Sequence, residues 1–146
     1  MSAIPARSAI NDMLGVTSPR ASTPMEFHDR ISRGLPRTAL RRVGRIAGVL
    51  PAELAGLLGV HMRTLTRAEK KKASPLDPVL SDRLYRFAQV VGRAAEVMES
   101  RDGGRRWLAA PQYGLGGRIP LALCRTEAGT HEVLELLGRI EDGSLA

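Results

Sequence analysis

From Leu80 to Met98 the apolar residues Leu80, Leu84, Phe87, Val91, Ala94 and Met98 recur at intervals of four, three, four, three and four. That spacing puts all six on one stripe of a helix, and it does not fit the two-residue period of a half-buried strand. Asp77 offers a capping side chain and Pro78 suits the first helical position, so the pattern predicts a helix from Pro78 to about Ser100. This is the longest helical pattern in the chain. Its stripe serves either the core of a single chain or, by its heptad-like spacing, a seam with a second copy.

The segments around it also read as helices. Met25 to Arg33 carries Phe27 and Ile31 four apart and ends at Gly34. Pro36 opens a stretch in which Leu40, Val43, Ile46 and Ala47 form an apolar stripe, with Arg37, Arg41, Arg42 and Arg45 mainly off it. No segment alternates strictly and no repeat is visible, so the expected fold is all-α. The aromatic content is 3%, which leaves the core to Leu, Val, Ile and Ala. Residues 1–24 are rich in Ser, Pro, Ala and Arg without a sustained period, and read as a flexible arm.

Residues Ala52 to Arg67 fit a helix-turn-helix. Pro51 opens the first helix, Ala52 to about Leu58, and a second runs from about Met62 to Lys71. Ala55 is small where the two helices cross, and Gly59 can take the positive φ of the turn. Leu54, Leu58, Val60 and Leu65 form the shared apolar wedge, which projects His61, Met62, Arg63, Thr66, Arg67 and Lys70 outward. The second helix of such a motif lies in the major groove. Arg63 and Arg67 suit guanine edges or phosphate, whereas Arg37, Arg41 and Lys70 suit phosphates.

Charge supports this reading. Of the formal net charge of +7, the segment from Arg33 to Lys72 holds ten basic residues against Glu53 and Glu69, a net of +8, which leaves −1 for the rest. Positive charge concentrated on one small unit fits a polyanion such as DNA, and also fits a plain solvated basic surface.

The last third, 101–146, differs in kind. Asp102-Gly103-Gly104 reads as a break, Arg105 to Ala110 as a short helix stopped by Pro111, and Gly114 to Gly117 as a turn. Pro120 starts another short helix through Cys124, and Thr126 caps the last one, whose buried face is Val133, Leu136, Leu137 and Ile140. From Glu127 onward five acids oppose Arg139, a local net of −4. A pattern this rich in fixed turns and this poor in chemistry suits gripping a protein more than turning over a substrate.

Catalysis is not expected. His28, His61 and His131 are scattered, Cys124 has no evident base, and the glycines make no phosphate-binding fingerprint. A single cysteine builds no disulfide within one chain and suits a reducing cytoplasm. Arg7 is followed by no long apolar run, so neither a signal peptide nor a membrane span is expected.

Two blocks then resemble the Xre/MbcA/ParS family of antitoxins, partners of RES-domain toxins. One is Arg63-Thr64-Leu65, Arg67, Leu76, Ser81-Asp82-Arg83-Leu84, Arg86 and Ala88. The other runs from Arg106-Trp107-Leu108 through Pro111, Leu115-Gly116-Gly117-Arg118-Ile119-Pro120 and Thr126-Glu127-Ala128-Gly129 to Leu137-Gly138-Arg139-Ile140-Glu141-Asp142-Gly143. The resemblance covers roughly Arg33 to Ala146. It implies an antitoxin that represses its own operon at the operator and blocks a toxin that consumes NAD or transfers its ADP-ribose. NAD would then be the toxin's substrate, and no cofactor is expected here. The implied organisation is a helix-turn-helix domain over 25–77, a connecting helix over 78–100 and a toxin-binding domain over 101–146. Trp107, Leu115, Gly117, Arg118, Glu141, Leu145 and Ala146 are the candidate toxin contacts, although a tryptophan such as Trp107 is more often a core anchor than an interface contact. A homodimer is expected on DNA, since such dimers read two half-sites. A stand-alone regulator with a dimerising or ligand-sensing C-terminal half is the alternative.

Overall fold

The computed structural model describes residues 6–15, 23–70 and 74–144, with side chains from Ile10 onward. Nine α-helices are present among them: α1 (Ala6–Met13), α2 (Pro24–Arg33), α3 (Thr38–Ala47), α4 (Pro51–Leu58), α5 (Met62–Lys70), α6 (Pro78–Val97), α7 (Arg101–Ala109), α8 (Pro120–Leu123) and α9 (Glu127–Glu141). A 3₁₀ turn at Tyr113–Leu115 precedes α8. Among the described residues the only β pairing is an isolated bridge between Gln112 and Arg118, so the all-α expectation holds.

The long helix is the axis of the fold. Asp77 accepts the Leu80 N–H at 2.8 Å, which fixes the start of α6 at the predicted proline. Helices α1, α2, α3, α4, α7 and α9 all pack on it. Its stripe is therefore occupied within one chain: Leu80, Leu84, Phe87, Val91 and Ala94 are buried and Met98 is half-buried. The dimer-seam alternative for these residues is corrected by that burial.

The short helices follow their local signals. Thr23 and Glu26 close a capping box on α2, with Glu26 N–H to Thr23 Oγ1 at 3.1 Å and Thr23 N–H to Glu26 Oε2 at 2.8 Å. Gly34 has φ +96°, and a Cβ there would land on the Leu76 carbonyl oxygen. Only glycine lets the α2–α3 link pass so close to the chain entering α6. Fully buried Ser81 ties the same corner, accepting the Leu35 N–H at 2.9 Å.

Two segments depart from the sequence reading. Within the expected flexible arm, Ala6–Met13 is helical and Ile10, Met13 and Leu14 are buried. These three stand at i, i+3 and i+4, a short apolar stripe masked by the surrounding Ser, Pro and Arg. Gly92 of α6 makes room for it, since a Cβ there would meet Met13 Cε at 3.1 Å. Arg42 Nη1 donates to the Asp12 carbonyl at 3.2 Å, and Arg101 pairs with the Asp12 carboxylate at 3.2 Å. The second departure is at Asp102-Gly103-Gly104, expected as a break, which forms the first turns of α7. Ser100 caps it by accepting the Gly103 N–H at 2.8 Å. Buried Gly104 is there for close approach to α6 and not to end a helix. No described helix is long and apolar enough to cross a membrane.

Candidate functional site

Helices α4 and α5 form the expected helix-turn-helix unit. Glu53 accepts the Leu50 N–H at 3.2 Å at the start of α4. Gly59 takes φ +69° at its end, and the Val60 N–H reaches back to the Ala55 carbonyl at 3.0 Å. Leu54, Ala55, Leu58 and Leu65 are buried, with Val60 packed against them. That wedge fixes how α5 projects.

His61, Met62, Arg63, Thr66, Arg67 and Lys70 are all exposed at the start and along the outer face of α5, as the wedge requires. Met62, Arg63, Thr66, Arg67 and Lys70 line one shallow groove of about 490 Å³. Thr66 Oγ1 donates to the Met62 carbonyl at 3.0 Å, which leaves its acceptor lone pairs for an outside donor. Arg63 and Arg67, one turn apart, form no ion pair among the described residues, and their guanidiniums are available to an outside anion. Lys71 and Lys72 lie outside the described residues.

The four arginines of the α3 segment divide. Arg37 donates through Nε to the Ser74 carbonyl and through Nη1 to the Ala68 carbonyl. Its Nη2 reaches Ser74 Oγ at 3.1 Å and the Pro75 carbonyl at 3.1 Å. This corrects the phosphate role expected for it: a guanidinium held by four internal acceptors is a latch on the α5–α6 connection. The sequence offered no sign of this, since the acceptors stand 31 to 38 residues away and three of them are backbone carbonyls. Arg41 and Arg45 stay exposed and line a cleft of about 740 Å³ with Arg42, beside the latch.

The second face belongs to the segment between α7 and α8. Gln112 N–H donates to the Arg118 carbonyl at 3.1 Å and Gly117 N–H to the Gln112 carbonyl at 2.9 Å, closing a tight loop. Gly116 (φ +66°) and Gly117 (φ +80°) stand in succession in the left-handed region, and a Cβ on either would meet nothing within 4 Å. They are required for backbone shape and not for space. The loop carries exposed Arg118, Ile119 at 40% exposure and Tyr113 at 99%.

The candidate contacts of this half are thus sorted by the structure. Gly117 and Arg118 are on the surface. Leu115 is buried, which corrects its place among contacts, because it anchors the loop to the core instead. Trp107 is half-buried against the same core, and its carbonyl accepts Gln112 Nε2 at 2.9 Å. Glu141 forms a two-pronged bond with Arg93, at 2.7 and 3.0 Å, strapping α9 to α6. The Arg93 hydrogen bond holds the Glu141 carboxyl below its ordinary range. Leu145 and Ala146 lie outside the described residues. Tyr113 was missed by sequence reasoning. Its place beside Gly114 in a turn was the available signal, but only the fold shows how fully its ring faces solvent. Burial pushes the Cys124 thiol up to about 12, so it is no ready nucleophile. Among the described residues no three His, Cys, Asp or Glu side chains gather as metal ligands.

Comparison with known proteins finds two matching segments. Residues 26–89 match the antitoxin Xre-like helix-turn-helix domain, and residues 93–143 match the antitoxin Xre/MbcA/ParS C-terminal toxin-binding domain. Antitoxin Xre of Pseudomonas putida is 30% identical over 125 residues, covering 86% of this chain and 77% of the relative. Antitoxin Xre of Yersinia enterocolitica is 32% identical over 116 residues, covering 79% and 78%. The fold is shared with a chain of the M. tuberculosis MbcT–MbcA toxin–antitoxin complex, at TM-score 0.56 and 21% identity over 75% of this chain and 96% of that one. By its two domains and the reach of these relatives, the chain belongs to the Xre/MbcA/ParS family of antitoxins.

Proposed function

We propose that this antitoxin blocks the active site of a RES-domain toxin that consumes NAD or transfers its ADP-ribose. The observation that carries the reading is the rigid, outward-facing Tyr113–Ile119 loop inside the segment that matches a toxin-binding domain. A loop held by its own backbone bonds, and anchored by Leu115, loses little freedom on docking. The exposed acids Glu127, Glu132, Glu135 and Asp142 lie on the neighbouring helix and its end, and suit a basic nucleotide-binding mouth. The chain itself does no chemistry in this reading and acts by occlusion. Co-expression with a RES-type toxin from the adjacent reading frame should restore growth and cellular NAD. Purified toxin that neither binds the full chain nor loses activity in its presence would refute it.

The same reading includes repression of the chain's own operon, with α5 in the major groove. The uncompensated Arg63 and Arg67 support base or phosphate contacts, and Arg41 and Lys70 support phosphate contacts at the edges. A homodimer on the operator completes it. Because the α6 stripe is filled within the chain, the dimer contact must use another surface. Mobility shifts on the upstream promoter, alone and with toxin, test this half.

A further inference from the structure

Between the end of α4, the middle of α6 and the α8–α9 turn lies a half-enclosed cavity of about 250 Å³. Three guanidiniums line it, from Arg83, Arg86 and Arg125. We propose that this cavity binds a small oxyanion of the inorganic phosphate class, a site separate from both the α5 face and the Tyr113 loop.

The charge balance favours an anion. Arg83 uses Nη1 on the Leu58 carbonyl at 3.1 Å and has no carboxylate partner among the described residues. Arg125 lies over Gly56, its Nη1 3.2 Å from where a Cβ of that residue would stand. It makes no hydrogen bond or ion pair with a described residue. Arg86 gives Nη2 to Asp82 at 3.2 Å, the one carboxylate paired with any of the three among the described residues. One carboxylate against three guanidiniums leaves the cavity positive. Thr126, the cap of the fifteen-residue α9, also lines it and adds the positive end of that helix.

Size narrows the occupant. Sites for drug-sized ligands occupy roughly 300–1,000 Å³, and this cavity falls below that range. A single tetrahedral oxyanion suits it, since its oxygens can accept from several guanidinium forks at once. Arg83 and Arg86 come from α6 within the helix-turn-helix match, and Arg125 from the C-terminal match. A bound anion therefore ties the two halves together.

The test is thermal unfolding of the full chain in inorganic phosphate, against sodium chloride at matched ionic strength. A ligand of the folded state raises Tm with its concentration. Phosphate should raise Tm in a saturable way where chloride does not. Arg125→Gln should weaken apparent phosphate affinity about tenfold or more, the loss of a charge-assisted contact. Its Tm without phosphate should match the parent, because Arg125 bonds to no described residue. Arg63→Ala with Arg67→Ala should leave the phosphate response intact. Equal responses to phosphate and chloride would overturn the proposal, as would a full response in Arg125→Gln or its loss in the α5 double variant.

Discussion

Gly104 in α7 lies against the backbone of Ala95 in α6, and a Cβ on Gly104 would stand 2.7 Å from the Ala95 nitrogen. The contact is backbone on backbone, so neither side can swing away. It lets α7 cross α6 at glycine distance and so sets where the Tyr113 loop begins.

Gly104→Ala should therefore destabilise the chain by about 1–3 kcal/mol, the usual cost of overpacking a fixed site. That outweighs the gain of about 1 kcal/mol in helix propensity. Gly138 in α9 supplies the contrast, since a Cβ there meets nothing within 4 Å. Gly138→Ala should stabilise by up to about 1 kcal/mol. Urea unfolding of the three proteins checks the order. A Gly104→Ala protein as stable as the parent would show that the close crossing is not rigid.

Arg37 and Arg41 sit one helical turn apart and should fail differently. Arg37→Ala removes four bonds to the α5–α6 connection and should lower Tm, with DNA affinity reduced only as far as folding is. Arg41→Ala should leave Tm unchanged. It should reduce the salt slope of operator binding by about 1, the loss of one phosphate contact. Measuring both variants by thermal unfolding and by salt-dependent mobility shift separates latch from contact. A normal Tm in Arg37→Ala with a reduced salt slope would reverse the assignment.

The contrast between these two arginines shows where sequence reasoning reached its end. Periodic apolar stripes and caps are local, so α2 to α6 and α9 were legible within a residue or two at most ends, and so was the outward set on α5. What was not legible depends on partners far away in sequence. Arg37 finds backbone carbonyls in and after α5, Glu141 finds Arg93 48 residues earlier, and Gly104 finds the α6 backbone. In each case residue type suggested a generic role, a phosphate contact, a partner-facing acid or a break. The tertiary neighbour assigned another. Helix α1 was missed for a different reason: three apolar residues in a short polar stretch make a weak period until α6 is there to receive them.

The Arg93–Glu141 strap should be visible as a pH dependence. Glu141 is held below its ordinary value of 4.5 in the folded chain, so the folded state binds its proton less readily than the unfolded one. The strap's contribution is therefore present above 4.5 and is lost as pH falls through the lower folded value. The Tm difference between the parent and Glu141→Gln should be constant at neutral pH and shrink in that acid window. High salt should reduce it too, because the carboxylate is exposed. A difference that persists unchanged in strong acid would show that the substitution alters packing and not the ion pair.

Tyr113 and Leu115 share one turn and should divide binding from folding. Leu115 is buried, so Leu115→Ala should cost about 2–5 kcal/mol of stability, the range for emptying a core site. Tyr113 at 99% exposure contributes nothing to the core, so Tyr113→Ala should change stability by no more than about 0.5 kcal/mol. Tyrosine is enriched among the few residues that dominate interfaces because it buries a large rigid ring and keeps a hydroxyl for the partner. On a loop closed by the Gln112–Arg118 and Gly117–Gln112 backbone bonds, the ring itself is what remains to be ordered on docking. Toxin affinity of Tyr113→Ala should fall by about 2 kcal/mol or more, a factor of roughly thirty. Titration calorimetry with purified toxin, beside unfolding of the free variants, measures both quantities. If Tyr113→Ala binds as tightly as the parent while removal of Gly143 to Ala146 abolishes binding, the occluding element is the tail. The loop then serves only to place α8 and α9.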